Sequence, residues 1–66
     1  MDVFDVLTAI SKKKMAFMHA GVNENEALIK AEFDVSKDYH IPLLDIEKLV
    51  GWNSIILNWL DKIEKK

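Results

Sequence analysis

Residues 21–42 read Gly-Val-Asn-Glu-Asn-Glu-Ala-Leu-Ile-Lys-Ala-Glu-Phe-Asp-Val-Ser-Lys-Asp-Tyr-His-Ile-Pro, a stretch that carries a helix together with both of its ends. Asn23 offers a side-chain oxygen to the amide three residues on, and Glu26 at that third position reaches back, which is a capping box in its Asn form. Leu28, Ala31, Val35 and Tyr39 then recur at helical spacing, and Ile29 with Phe33 widen the stripe. At the far end Pro42 lacks an N–H and pushes Ile41 out of the helical region, so the helix ends near Tyr39 or His40. Gly21 stands where a preceding helix closes through a left-handed residue.

Working outward from this segment, a first helix spans about residues 2–20. Asp2 is its N-cap and Asp5 its first-turn acid, while Lys12, Lys13, Lys14 and His19 lie in the C-terminal half, the favourable sign at each end of the dipole. Val3, Leu7, Ile10 and Phe17 give the apolar spacing, with Phe4, Met15 and Met18 alongside. A second helix covers about 23–39. A third runs from Pro42, at the first helical position, to about residue 65. Gly51 is its one weak point, costing about 1 kcal/mol relative to alanine. Two outcomes follow from it: a continuous helix, or a break with Asn53 capping a separate last helix. Strand alternation is absent, and no Asn-Gly or Asp-Gly turn occurs. The expectation is a single all-α domain, either a small three-helix bundle or a helix-turn-helix-like arrangement with a long C-terminal helix.

With 66 residues the chain is enough for one domain. A domain of this size buries only about 60% of the surface its unfolded chain exposes. It has no cysteine, which removes disulfides and thiolate metal sites as supports. Half of its residues are apolar, which argues against disorder. Net charge is −2, and all nine basic residues are lysine. Without arginine there is no bidentate reading of phosphate or guanine. Lysine, asparagine and isoleucine usage of this kind fits an AT-rich genome, such as that of a low-GC bacterium or its phage. Asp2 and Asp5 stand where a secretory signal needs positive charge, and no stretch approaches the roughly 20 apolar residues of a membrane span, so a cytoplasmic protein is expected.

The last helix carries more apolar surface than one core needs. Counted from Ile46, the residues Ile46, Leu49, Asn53, Ile56, Leu60 and Ile63 fall on one seam at heptad spacing. Trp52, Ile55 and Trp59 flank it on one side, Val50 and Leu57 on the other. The arc spans roughly 220°, against the ~100° that suffices for a helix lying on one core. Glu47, Ser54, Asn58, Asp61, Lys62 and Lys65 fill the narrow polar sector. Two readings compete: a helix central in its own bundle with both indoles in the core, or a patch for another chain. The second assigns partner binding to Trp52, Ile55, Ile56, Trp59, Leu60 and Ile63, because tryptophan joins large rigid area to a polar handle. Asn53 on the seam is a candidate for fixing oligomer register, since its amide is satisfied against a matching Asn. A second adaptable stripe, Met1, Met15 and Met18 with Phe17, reads as core.

The segment from Val35 to Val50 resembles the helix-turn-helix pattern of bacterial and phage DNA-binding proteins. Val35, Tyr39, Ile41, Ile46 and Leu49 occupy its apolar positions, and Ser36 its small one. His40 stands where glycine is usual. The resemblance covers about a quarter of the chain and implies a helical corner whose second helix would read bases. The residues so placed are Pro42, Leu43, Leu44, Asp45, Glu47 and Lys48, which offer no arginine, glutamine, asparagine or threonine to base edges. Phosphate contacts in that reading fall to Lys12, Lys13 and Lys14.

No phosphate loop, nucleophile elbow or paired metal-binding histidines occur; His19 and His40 stand far apart, and a shared metal would need carboxylates such as Glu24 or Asp38. The expectation is therefore a non-enzyme without cofactor, metal or small-molecule substrate, self-associating or docking on a larger protein through its C-terminal helix, as a phage or mobile-element regulator, inhibitor or assembly factor would. A DNA-binding helix-turn-helix regulator is the alternative. A peptide lying on a membrane surface is a third, suggested by interfacial tryptophans and terminal lysines and opposed by the acidic balance.

Overall fold

A computed structural model of the protein describes residues 2–64, and they form four α-helices: α1 Val3–His19, α2 Glu24–Tyr39, α3 Leu43–Trp52 and α4 Ser54–Glu64. The fold is a small all-α bundle. Met1 of the methionine stripe and Lys65 of the polar sector lie outside the described residues.

Each junction follows from particular side chains. Asp2 accepts a bond from the Phe4 amide at 3.4 Å, starting α1. The helix closes through Gly21 at φ 99°: the Gly21 amide donates to the Met18 carbonyl and the Val22 amide to that of Phe17, each at 3.0 Å. This double closure is the Schellman arrangement, and the left-handed residue it needs is glycine. Asn23 then accepts from the Glu26 amide at 3.0 Å to start α2, which is the Asn23 half of the expected box.

The turn after α2 repeats the same closure with a different residue. His40 takes the left-handed conformation, φ 55° and ψ 41°, where an L side chain is uncommon. Its amide donates to Lys37 and that of Ile41 to Ser36. The Ser36 hydroxyl in turn donates to the Ile41 carbonyl, so the two residues are clasped from both sides. That clasp is the reason a small polar residue suits position 36. Pro42 sits one residue earlier than expected, as the N-cap of α3, with its carbonyl accepting from Asp45 and Ile46.

The long third helix is two helices, and the break falls at Asn53. Gly51 stays helical within α3. The Asn53 amide and its side-chain Nδ2 both donate to the Leu49 carbonyl, at 3.0 and 2.9 Å, while its own carbonyl accepts from the Leu57 amide at 2.9 Å to start α4. One residue thus ends one helix and begins the next.

α1 packs along both α2 and α4, α3 packs on α2 and touches α1 and α4, and among the described residues α2 and α4 do not meet. The core draws Val6, Leu7 and Ile10 from α1, Ala31 and Val35 from α2, Ile46 from α3, and Leu57 and Leu60 from α4. Ala9, Leu28, Tyr39, Ile41, Leu49 and Val50 close around it. The Cα radius of gyration is 10.8 Å, and a compact chain of this length should have about 10.8 Å. Apolar surface left outside is therefore surplus, not a sign of loose packing.

Gly51 provides a test of this arrangement. Its φ lies outside the left-handed region, and a Cβ built on it meets nothing within 4 Å. Gly51→Ala should stabilise the domain by about 0.5–1 kcal/mol in chemical denaturation. A loss of stability would show that position 51 is not helical.

Candidate interaction surface

α4 turns Leu57 and Leu60 into the core and leaves its other apolar side chains outside. Trp52 at the end of α3 is 79% exposed, Ile55 83% and Trp59 55%, and Ile56 and Ile63 are also exposed. At about 100° per residue, Ile55, Trp59, Ile63 and Ile56 share one side of α4, and the exposed Asn58 and Lys62 border it next to Ile55.

The heptad seam is covered only in part. Ile46 is fully buried and Leu49 half-buried, but Ile56 and Ile63 face outward, because α1 lies against the side of α4 that carries Leu57 and Leu60. Leu60, expected at the partner surface, is only 8% exposed and belongs to the core. Asn53, expected to fix register between chains, uses its amide on the Leu49 carbonyl within its own chain.

The lysine run is distributed in the same way. Lys12 is exposed, Lys13 pairs with Asp38 at 3.2 Å, and Lys14 is buried with its ammonium 3.4 Å from the Glu24 carboxylate. The run follows the helical wheel: Lys14 comes four residues after Ile10 and seven after Leu7, on the face that packs inward. A three-lysine phosphate-contacting face is therefore not assembled, and Lys13 and Lys14 serve to join α1 to α2. In the first turns of α3, the residues that would read bases, the exposed side chains are Leu44, Asp45, Glu47 and Lys48, more acidic than basic. Met15 is buried, and Met18 and Phe17 are half-buried.

Two inward polar residues were not singled out in the sequence: Ser11, fully buried, and Glu32. Both were legible from the wheel, since Ser11 follows Leu7 by four and Glu32 follows Leu28 by four and precedes Val35 by three. Burial holds the Glu32 carboxyl above the usual glutamate value of 4.5, and the negative charge of Glu47 across the corner adds to the effect.

Among the described residues no group of histidines and carboxylates is placed to hold a metal, and no helix is long and apolar enough to cross a membrane. One open groove of about 340 Å³ is lined by Asp5, Thr8, Ala9 and Lys12 of α1 with Tyr39 of α2. It is too open to exclude water from a ligand. No protein-family model, curated protein or solved structure matches the chain.

Glu32 links this geometry to pH. The fold favours its neutral form, so its contribution to stability is greatest below the usual glutamate value and declines as pH rises through the raised one. Glu32→Gln should raise the thermal midpoint at pH 7 and do so less at pH 4. An equal gain at both values would remove ionisation as the cause.

Proposed function

We propose that the chain is a non-enzymatic protein–protein interaction module that works through the outward face of its C-terminal helices, either on itself or on a larger protein. The observation that carries this reading is the exposure of Trp52, Ile55 and Trp59 beside one another in the sequence of a compact domain. Solvated indoles and isoleucines contribute nothing to folding, while covered by a partner each contributes on the order of 2 kcal/mol. The exposed apolar area exceeds the scattered single residues normal on a monomer. Its size and lysine-rich, arginine-free composition suit a small regulator, inhibitor or assembly factor of a phage or mobile element in the cytoplasm of a low-GC bacterium.

Replacing both indoles by aspartate separates surface from core. At a concentration where the parent is monomeric, the Trp52→Asp, Trp59→Asp double variant should keep its helicity and unfold within about 0.5 kcal/mol of the parent, as exposed positions do, while losing retention on a phenyl matrix and, at higher concentration, every association the parent shows. If the double variant unfolds, the rings are structural and the reading is lost.

A helix-turn-helix DNA-binding regulator is the second reading, favoured by one observation: His40, at the position where that motif usually has glycine, takes the left-handed conformation that suits glycine. The available charge opposes it, since Lys12 alone of the run is both exposed and outside a described ion pair. Duplex DNA should not bind at low salt. Binding that weakens steeply with added salt would instead establish this second reading.

A further inference from the structure

We propose that the corner between α2 and α3 is a second contact site, which takes an arginine or lysine side chain of another protein at the Glu32 and Glu47 carboxylates, with apolar neighbours of that residue on Ile29 and Phe33. This site is separate from the outward face of α4 and does not rest on the reading of that face.

Glu32 is the group that the chain leaves unsatisfied. It is only 8% exposed, yet among the described residues neither it nor Glu47 has a hydrogen bond or an ion pair. Polar side-chain atoms sealed from solvent all have partners, so the unpartnered carboxyl of Glu32 reaches the surface. It does so on a helix against which α3 packs, within range of the Glu47 charge. The sequence keeps cations away from both. Three or four residues from Glu32 stand Leu28, Ile29, Val35 and Ser36, and from Glu47 stand Leu43, Leu44, Val50 and Gly51. No lysine holds the positions from which a helix pairs its own carboxylates. Lys30 and Lys37 lie roughly 140–160° around α2 from Glu32, and Lys48 about 100° around α3 from Glu47. Lys13 and Lys14 are engaged with Asp38 and Glu24. Two carboxylates placed together without a cation oppose folding, and a positive charge brought from outside reverses that repulsion.

The surroundings suit a side chain better than a free ion. On the helical wheel Ile29 and Phe33 lie roughly 60° and 100° from Glu32, on the side away from the buried stripe, and both are exposed. Leu44, also exposed, comes one turn before Glu47 on α3. A bare cation gains nothing from these neighbours. Arginine and lysine carry a carbon chain that lies on apolar surface while the charge reaches the acids. A guanidinium is weakly hydrated, which matches a carboxyl as covered as that of Glu32. Among the described residues no group of acids and histidines is placed to hold a metal.

A pair of peptides tests the site on the full chain. In an amide-shift titration at low salt, blocked acetyl-Leu-Arg-Leu-amide should bind saturably and move residues of α2 and α3. The same peptide with citrulline, which keeps the shape and removes the charge, should bind about tenfold more weakly. Glu32→Gln and Glu47→Gln should each lose a comparable factor, whereas Asp45→Asn, an exposed acid on another side of α3, should bind as the parent does. The Trp52→Ser, Trp59→Ser double variant should also bind as the parent does, which separates this site from the α4 face. No saturable binding overturns the proposal. Equal binding of the citrulline peptide removes the role of charge and overturns it as well. Binding that survives both glutamine substitutions, or that the tryptophan variant abolishes, places the peptide elsewhere and overturns it too, with the proposed function of α4 unaffected by the first of these.

Discussion

The structure depends on the packing of one helix, α1, between α2 on one flank and α4 on the other. Val6, Leu7 and Ile10 supply the stripe on which Val35, Ile46, Leu57 and Leu60 converge. α2 and α4 do not touch among the described residues, so they meet in one core through α1, with α3 as the smaller link between them. α3 turns the corner, seating Ile46 with no exposed surface. Two charged contacts extend the α1–α2 seam, Lys13 with Asp38 and Lys14 with Glu24. The first is a surface pair of modest energy; the second joins a buried ammonium to a largely exposed carboxylate, and α1 would be left with an uncompensated charge without its partners.

From this arrangement comes the division of α4 into two sides. A helix that meets its own domain on one neighbour's flank needs only a narrow inward stripe, which Leu57 and Leu60 provide. The remaining apolar side chains are covered only in part by the described residues, Ile55 least of all. A domain of 66 residues without disulfides has little stability in reserve. Leaving two tryptophans largely in water is a feature that the packing of the described residues does not account for.

The corner between α2 and α3 shows how geometry and chemistry separate. Its backbone joins α2 and α3 tightly through a clasped serine, a left-handed residue and an immediate second helix. Its surface chemistry is different, with Asp45 and Glu47 exposed on α3 and Glu32 buried near Glu47. The motif here is a way of joining two helices tightly, and a fold-level likeness carries no activity with it.

Helix ends were legible in the amino-acid sequence because caps are local: Asp2, Gly21, Asn23 and Pro42 act on backbone groups a few residues away. The apolar periodicity likewise determined the all-α class, and the excess of apolar residues after Gly51. Which of those residues turn inward was decided only by tertiary structure. Asn53 rather than Gly51 ends α3, since its side chain and main chain share one carbonyl, and α1 covers the side of α4 that carries Leu57 and Leu60 and not the side that carries Trp59. A helical wheel ranks faces by polarity, whereas the position of the neighbouring helix determines which face is covered.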